Sequence, residues 1–491
     1  MQRLSTATTP ASALQHHRSL GAPGIVHLGL GNFHRAHQAV HTARALAHTD
    51  GPWSILGVAN SSAAVAEAMR EQDMRYGVVQ ISPDETRVEV PAVHSDVLVA
   101  KQQPDAVADA LAAAQTRIVT LTITEKGYTY SPRRAGLDLD DPAVQADLRG
   151  GAPSTAVGRL ARALQRRAAT HAAPISILSC DNLMANGDLT AGLVREFAEQ
   201  LPSSESAELL AYLDAQVSFP NSMVDRIVPA TTDAYRQAVA QQLGLRDEAP
   251  VPAEPFSMWV MEDRFAAGRP AWEHGGATFT TDVAPYELMK LRLLNGTHSL
   301  LAYLGALSGC DLIAESTGTP NIGEAARRVI FDDYLPTFSL PADIDAEEFT
   351  AQLFTRWANH ALGHRTRQVG SDGSAKLAQR VPEPALHHLR AGRMPHHLAL
   401  TVAAYLCCMA PPEGFDAGPH AAAMADPARE RLQAAAGAGG TTEFVARALR
   451  DGLLGEELAE HDEFQRRVAE FVDLIATRGP AAATAEAQQA A

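Results

Sequence analysis

The sequence has few cysteines, no long apolar run and a deficit of positive charge. Four cysteines in 491 residues are too few for a disulfide framework, and a reducing compartment is indicated. No run of about 18 apolar residues exists, so no membrane-spanning segment is predicted. Residues 1–19 lack the apolar core of a secretion signal. We therefore expect a soluble, cytoplasmic protein.

The charge balance narrows the choice of partners. Lys and Arg number 41 against 57 Asp and Glu, which gives a net charge of 41 − 57 = −16. Such acidity argues against nucleic-acid binding through phosphate neutralisation. The length favours two or three domains, because single cores stop growing at about 250–300 residues.

Strand-like and helix-like segments alternate in the first half of the chain. The strand-like runs are 24–29, 54–58, 76–81, 117–123 and 175–179, with helical patterns between them. This alternation predicts a parallel sheet with helices on both faces. After about residue 283 the chain is mostly helical. We predict an α/β domain at 1–283 and a helical domain at 284–491, with residues 1–20 and 480–491 flexible.

The first candidate site is the turn Gly29-Leu30-Gly31-Asn32-Phe33-His34-Arg35, between a strand and a helix. Glycines in this context let a backbone approach a dinucleotide pyrophosphate. Only two of the three usual glycines are present, since His34 occupies the third position, so a plain tight turn also fits. Arg35 fits either a phosphate contact or a solvated surface position.

The acid that would bind the ribose hydroxyls after the second strand is absent, because Val58 is followed by Ala-Asn-Ser-Ser. No compact basic cluster is found there to hold a 2′-phosphate, which favours NAD over NADP. Glu125 and Lys126 follow a later strand, at the sheet edge where ligands bind. An exposed ion pair in a loop fits them equally well.

Two further segments carry candidate polar groups. Asn182 and Asn186 follow the strand 175–179, as turn formers or as amides aimed at a developing oxyanion. In Lys290–Ser299, helical geometry puts Asn295 roughly 140° and His298 roughly 80° from Lys290. Polar groups on one side of an apolar helix cost desolvation unless they are used. A capping role for them stays open.

Together these motifs resemble the mannitol dehydrogenase family of long-chain polyol dehydrogenases. The resemblance runs from about Gly24 past Arg380. It rests on residues 29–38, 122–128, 179–183, 219–229, 254–256 and 290–298.

The resemblance implies a Rossmann-type domain, a helical domain and a substrate site in the cleft between them. Family members interconvert a secondary alcohol and a ketone with NAD(P) and without zinc, and neither His34/His37 nor His360/His364 has a zinc-type acid nearby. Lys290 matches the general acid/base, Asn186 and Asn295 the amides that hold the reacting oxygen, and Asp225, His298 and Lys376 substrate contacts. We assign cofactor contacts to Gly29, Gly31, Asn32, Phe33, Arg35 and Glu125.

The segment 364–377 resembles the branch that acts on the sugar acids mannonate and fructuronate. A mannitol 2-dehydrogenase carries arginine at the position of Gln368, and Lys126 also suits the sugar-acid branch. Arg365 and Lys126 would bind a substrate carboxylate, unless Arg365 and Arg367 only pair with the acidic surface. Alternatives are a mannitol or arabinitol dehydrogenase and a non-catalytic NAD-binding protein. The resemblance suggests a monomer or weak dimer.

Overall fold

Every strand in the described part of the chain lies before residue 281. The structure is a computed structural model and describes residues 1–16, 20–83, 85–436 and 439–490. The chain divides into two compact units, Met1–Ala284 and Pro285–Ala491, which we call the sheet unit and the helical unit. The predicted fold class, a Rossmann-type α/β region followed by a helical region, is confirmed.

The strands are β1 Gln2–Arg3, β2 Pro23–Leu28, β3 Ser54–Ala59, β4 Val78–Ile81, β5 Thr86–Glu89, β6 His94–Val99, β7 Ile118–Leu121, β8 Tyr130–Ser131, β9 Gly136–Leu137, β10 Ile175–Ser179, β11 Val217–Ser218, β12 Ser222–Asp225, β13 Leu245–Arg246, β14 Val251–Ala253, β15 Met258–Glu262 and β16 Thr278–Thr280. The main sheet is parallel, in the order β11-β10-β7-β2-β3-β6. The order reverses between β2 and β7, and ligands of doubly wound sheets bind beyond the carboxyl ends of the strands at such a point.

The α-helices of the sheet unit are α1 Asn32–Ala36, α2 Gln38–His48, α3 Ala64–Glu71, α4 Pro104–Ala112, α5 Pro142–Leu148, α6 Ala156–Thr170, α7 Asn186–Glu199, α8 Ser203–Gln216 and α9 Asp233–Leu243. A 3₁₀ turn covers Glu125–Tyr128.

The α-helices that follow are α10 Ala284–Met289, α11 Thr297–Leu307, α12 Ile313–Gly318, α13 Pro320–Arg328, α14 Ala346–Trp357, α15 Thr366–Gly370, α16 Gly373–Arg380, α17 Pro382–Arg390, α18 His396–Met409, α19 Gly418–Ala422, α20 Arg429–Ala436, α21 Thr441–Arg450, α22 Glu456–Ala459, α23 Asp462–Arg478 and α24 Pro480–Ala490. Two π-helices cover Lys290–Gly296 and Val329–Tyr334. None of the helices in the described ranges is long and apolar enough to cross a bilayer.

Both faces of the main sheet are buried, because apolar residues run continuously along its strands. One face packs Val26, Leu56, Val119 and Ile177 against α6 residues such as Leu160. The other packs Ile25, Ile55, Ile118 and Leu178 against α2, Trp259 and Trp272. The carboxyl ends of β2, β3 and β7 are thereby held in register at one edge, where the glycine turn lies.

The structure corrects the prediction for one strand and shows what the described residues of the termini pack against, while the flexibility of residues 1–20 and 480–491 stays a prediction. The strand predicted at 76–81 forms β4 of a separate sheet, because it pairs with β5 and β14. β1 pairs with β13 and Leu4 is buried, so the lead-in is tied down. The tail forms α24, where buried Ala483 and Ala487 allow close helix packing. Residues 17–19 and 491 of these termini lie outside the described residues.

Candidate active site

The turn after β2 has a backbone conformation that requires glycine. Gly29 has φ +103°, and a Cβ there would lie 2.0 Å from the carbonyl oxygen of Thr122. At Gly31 an added Cβ would meet nothing nearer than the carbonyl oxygen of Gly29 at 3.7 Å, so the backbone is open to approach. The first helical turn begins directly after it, at Asn32. The turn thus has the form that a dinucleotide pyrophosphate needs.

A pair of stacked histidines takes the place of the third glycine. The His34 ring stacks on that of His27 with centroids 3.4 Å apart, and its Nε2 lies 3.1 Å from Nε2 of His94. His27 in turn contacts the Gly29 carbonyl oxygen and Thr122 Oγ1, each at 3.0 Å. Burial lowers the pKa of His27 to about 3. These neutral rings pack the helix against the strand, which is the role of the missing glycine.

The side chains of Arg35 and Asn32 are bound within the protein. Arg35 is 2% exposed and donates to the carbonyl oxygens of Gly31 and Ala249 and to Asn32 Oδ1, at 3.3, 2.6 and 2.7 Å. Asn32 also donates to Thr231 Oγ1 at 3.2 Å. The solvated position considered for Arg35 is therefore wrong, and its guanidinium braces the glycine turn. A contact between Arg35 and a phosphate stays a prediction.

The loop that carries Glu125 and Lys126 is held by Asp181, a residue to which the sequence assigned no role. Its carboxylate accepts the N–H groups of Ile123 and Thr124 at 3.0 and 2.8 Å and the Tyr128 hydroxyl at 2.7 Å. Burial raises the pKa of Asp181, and these hydrogen bonds oppose the rise. Glu125 and Lys126 are exposed on the loop that Asp181 anchors.

A pocket of about 260 Å³ opens at the carboxyl ends of β2, β3 and β7. Its wall includes Gly29, Asn60, Lys126, Thr155 and Arg159. Backbone glycine, hydroxyl groups and cations are the donor set that phosphate and ribose groups require. The pocket therefore fits part of a dinucleotide, and within the sheet unit Lys126 belongs to the pocket wall that includes Gly29 of the glycine turn.

Asn186 begins α7 and is completely buried. Its Nδ2 donates to the carbonyl oxygens of Asp181 and Ser222 at 3.1 and 2.8 Å, and its Oδ1 accepts the N–H of Ser222 at 3.0 Å. The amide thus joins the segment after β10 to β12, and both of its N–H groups are committed. Asp225, at the other end of β12, is 6% exposed.

Lys290 and Asn295 lie on a π-helix, and not on the α-helix from which their angular positions were predicted. The i→i+5 bonds of Lys290–Gly296 widen the turn, which changes those angles. Gly296 permits close packing, since a Cβ there would lie 2.3 Å from the Tyr334 hydroxyl oxygen. π-Bulges frequently occur at functional sites. Both Lys290 and Asn295 are half-buried, and no described residue bonds the Asn295 side-chain amide.

His298, on α11, is surrounded by cations of the same unit. Its Nε2 is buried without a hydrogen-bond partner among the described residues, and its ring lies 5.1 Å from that of His364. Burial lowers the pKa of His298, and His364, Arg356, Arg380 and Lys376 lower it further. We call these five residues the His298 cluster. Its positive potential would favour an anionic ligand.

Two members of the His298 cluster lie one turn apart on α16. Lys376 Nζ donates to the carbonyl oxygens of Val369 and Ser371 at 3.0 and 2.7 Å. Arg380 Nη1 donates to the carbonyl oxygen of Asn295 and to Ser299 Oγ, both at 2.8 Å. Arg380 therefore braces the π-helix on which Asn295 lies. Arg380 was not predicted as a site residue from the sequence, although its i, i+4 spacing from Lys376 is a usable signal.

Arg365 is not part of the His298 cluster. Its guanidinium forms an ion pair with Asp311, and 43% of its side chain is exposed. The structure therefore favours the surface-pairing alternative for Arg365. Arg367 and Gln368 are exposed.

Comparison with known proteins gives two family-model matches that cover most of the chain. Residues 23–274 match the mannitol dehydrogenase Rossmann domain, and residues 282–476 match the mannitol dehydrogenase C-terminal domain.

Individual relatives extend over most of their own length. The chain is 36% identical to D-mannonate oxidoreductase of Escherichia coli K12 over 93% of both chains, and 38% identical to mannitol 2-dehydrogenase of Cereibacter sphaeroides over 77% of this chain and 79% of that one. A ternary complex of Pseudomonas fluorescens mannitol 2-dehydrogenase with NAD and D-mannitol matches with a TM-score of 0.85 and 32% identity, over 99% of this chain and 100% of that one. The chain is an oxidoreductase that belongs to the mannitol dehydrogenase family.

Proposed function

We propose that this protein interconverts D-mannonate and D-fructuronate, or a sugar acid of the same class, with NAD(H) as cofactor. NAD accepts or supplies the hydride when it is bound. The protein's own residues bind and orient the substrate and transfer the proton. The assignment of NAD is supported by the glycine turn at Gly29 and by the NAD bound in the Pseudomonas fluorescens relative.

The observation that carries the proposal is the arrangement on the Lys290–Ser299 segment. Lys290 and Asn295 share the π-helix, and His298 follows one turn later inside a cationic cluster. Lys290 removes the hydroxyl proton of the substrate in oxidation and returns it in reduction. A lysine serves in this way when its surroundings lower its pKa from about 10.4 toward the working pH.

The Asn295 amide is assigned to the reacting oxygen because no described residue uses it. One such donor contributes roughly 2.7–4 kcal/mol to transition-state stabilisation in oxyanion holes. Asn186 has both N–H groups committed to backbone carbonyls, so we assign it a positioning role that joins β10 to β12. Asp225 remains a proposed substrate contact.

The His298 cluster supports a sugar acid over an uncharged polyol. Arg356, Arg380 and Lys376 provide positive charge around His298, and a carboxylate is the substrate group that this charge suits. We propose Lys376 and Arg380 for that carboxylate in place of Arg365, whose charge is paired with Asp311.

The substrate test compares kcat/KM for NADH oxidation with fructuronate and with fructose. We expect fructuronate to be preferred by at least about tenfold, since a hydrogen bond to a charged group contributes roughly 1.5–3 kcal/mol. A preference for fructose would overturn the sugar-acid assignment and indicate that mannitol and fructose are the substrate pair. NADH binding without turnover of any sugar acid or polyol would instead support the non-catalytic alternative.

The Lys290→Ala variant tests the mechanism. We expect kcat to fall by about 10²–10⁴-fold, the usual contribution of general acid–base catalysis. The Kd for NADH should stay within twofold of that of the unaltered protein. Turnover at the level of the unaltered protein in folded Lys290→Ala would reject Lys290 as the acid/base.

A further inference from the structure

The pocket at the end of β3 lacks the group that selects NAD over NADP. NAD-specific Rossmann sites carry an Asp or Glu that accepts hydrogen bonds from the adenosine ribose hydroxyls. Here β3 ends in Ala59 and is followed by Asn60 and two serines. Among the described residues that line the pocket, none is a carboxylate. No carboxylate in the described wall of this pocket would therefore repel a phosphate on the ribose.

An arginine from a distant part of the chain lies at this strand end instead. Arg159, in the first turn of α6, places Nη1 3.3 Å from Oδ1 of Asn60. Its other hydrogen bond runs from Nε to the carbonyl oxygen of Pro153 at 3.2 Å. Within the described ranges no carboxylate lies in ion-pair distance of Arg159. Arg159 and Asn60 are 99 residues apart in the chain, so the sequence next to β3 contains no basic cluster.

Asp147, the acid that acts electrostatically on Arg159, is already bound to other groups. The Asp147 carboxylate accepts the backbone N–H and the hydroxyl of both Ser154 and Thr155, at 2.6–3.2 Å. It holds the loop before α6 and so fixes the position of Arg159. Burial lowers the pKa of Arg159, and Asp147 opposes this only in part. A partly desolvated guanidinium without an anionic partner is a favourable site for phosphate.

A second cation adjoins the same strand end. The backbone N–H of Lys101 donates to the carbonyl oxygen of Asn60 at 3.2 Å, so Lys101 is bound next to Asn60 and is exposed. Lys126 and the Ser154 hydroxyl also belong to the pocket wall. The strand end therefore combines planar and flexible cationic donors with a hydroxyl group.

We propose that Arg159, assisted by Lys101, binds the 2′-phosphate of NADP(H), so that the protein accepts NADP(H) as well as NAD(H). This inference rests on the proposed dinucleotide site at Gly29. The adenosine end of that site would carry positive charge, at the place where NAD-specific Rossmann sites carry an Asp or Glu.

Calorimetric titration of the full-length protein with adenosine 2′,5′-bisphosphate and with 5′-AMP tests the site without turnover. We expect the bisphosphate to bind about tenfold more tightly or better, as is typical of a charge-assisted contact. Arg159→Ala should remove this preference, so that the bisphosphate binds no more tightly than 5′-AMP. Arg159→Lys, which keeps the charge but not the planar fork, should retain part of it.

The matched control is Arg166→Ala on the same helix. Arg166 is exposed, pairs with Asp109 and is not part of this pocket wall, so its loss should leave both affinities unchanged. The kcat/KM ratio for NADPH over NADH should fall about tenfold in Arg159→Ala and not in the control.

Equal affinities of the unaltered protein for the two nucleotides would overturn the 2′-phosphate site while the dinucleotide site stands. A preference that persists in Arg159→Ala would overturn the role of Arg159. Failure of the protein to bind either nucleotide, or NADH, would overturn the proposed dinucleotide site and this inference with it.

Discussion

The polar side chains of the candidate site differ between the sheet unit and the helical unit in whether the protein itself supplies their hydrogen-bond partners. In the sheet unit, Asn186, Asp181 and Arg35 are hydrogen-bonded to backbone groups, and their side chains hold loops in place. In the helical unit, the Asn295 amide has no partner among the described residues, and neither has the buried Nε2 of His298.

The difference indicates which polar groups support the structure of the site and which are available to a ligand. A buried polar group without a partner costs roughly 1–3 kcal/mol, so a stable protein tolerates it where a ligand completes it. Satisfied groups instead stabilise the loops around a binding site. We therefore expect substitution of Asn186 in the sheet unit to act first on stability, and substitution of Asn295 in the helical unit to act first on turnover.

After Lys290→Ala, the largest effect is expected for Asn295→Ala. Loss of an amide donor to the reacting oxygen should lower kcat about 10²–10³-fold. Because no described residue bonds this amide, the free energy of unfolding should change by less than about 0.5 kcal/mol. Steady-state kinetics and urea unfolding measure the two quantities. A large loss of stability with little loss of kcat would erase the contrast between the units.

Asn186→Ala should show the reverse order of effects. The substitution removes the Asn186 partner of the Ser222 N–H and of the Ser222 carbonyl oxygen, and one of the two hydrogen bonds that the Asp181 carbonyl oxygen accepts. It should destabilise the protein by about 3 kcal/mol. Urea unfolding followed by tryptophan fluorescence measures this loss. Asn182→Ala, at an exposed asparagine four residues earlier, is the control and should cost less. Unchanged stability with a large drop in kcat would return Asn186 to a direct contact with the reacting oxygen.

The smallest effect is a pH dependence in the helical unit. Burial raises the pKa of Asp333 to about 8, and its carboxyl group accepts the N–H of Leu398 at 2.7 Å. Between the ordinary pKa of 3.8 and about 8 the folded state holds a proton that the unfolded state has released. The contribution of Asp333 to stability therefore falls as pH rises through this window.

Asp333→Asn keeps an oxygen acceptor and removes the proton. We expect the fall in Tm between pH 5.5 and 8 to become smaller in this variant, as measured by scanning calorimetry. Glu457→Gln, at an exposed position paired with Arg390, should keep the original pH dependence. Identical pH profiles for Asp333→Asn and the unaltered protein would show that Asp333 does not hold the proton.

The fold was largely predictable because its signals are local. The strand predicted at 175–179 is β10, and the helical pattern predicted before it contains α6, Ala156–Thr170. The segment 76–81 misled because a strand pattern does not encode its pairing partner, and β14 lies far along the chain. The π-helix at Lys290 was also missed, since hydrophobic periodicity does not distinguish i→i+4 from i→i+5 bonding.

The site was predictable in residue type but not in the state of its side chains. Arg35 and Arg365 looked like candidate anion ligands in sequence, yet the first is bound to carbonyl oxygens and the second to Asp311. Neither Arg380 nor Arg159 was predicted as a site residue. Each is placed at its site by a contact with a residue distant in the chain, Asn295 and Asn60 respectively.

The local sequence determined the strand–turn–helix elements, the glycine at position 29 and the family motifs. These features depend on backbone sterics and short-range periodicity. Which polar atoms are satisfied and which remain open depended on contacts between segments 30 to more than 200 residues apart, such as Asn186 with Ser222 and Arg35 with Ala249. Hydrogen bonds form between specific atoms at specific distances, and only the folded chain brings those atoms together.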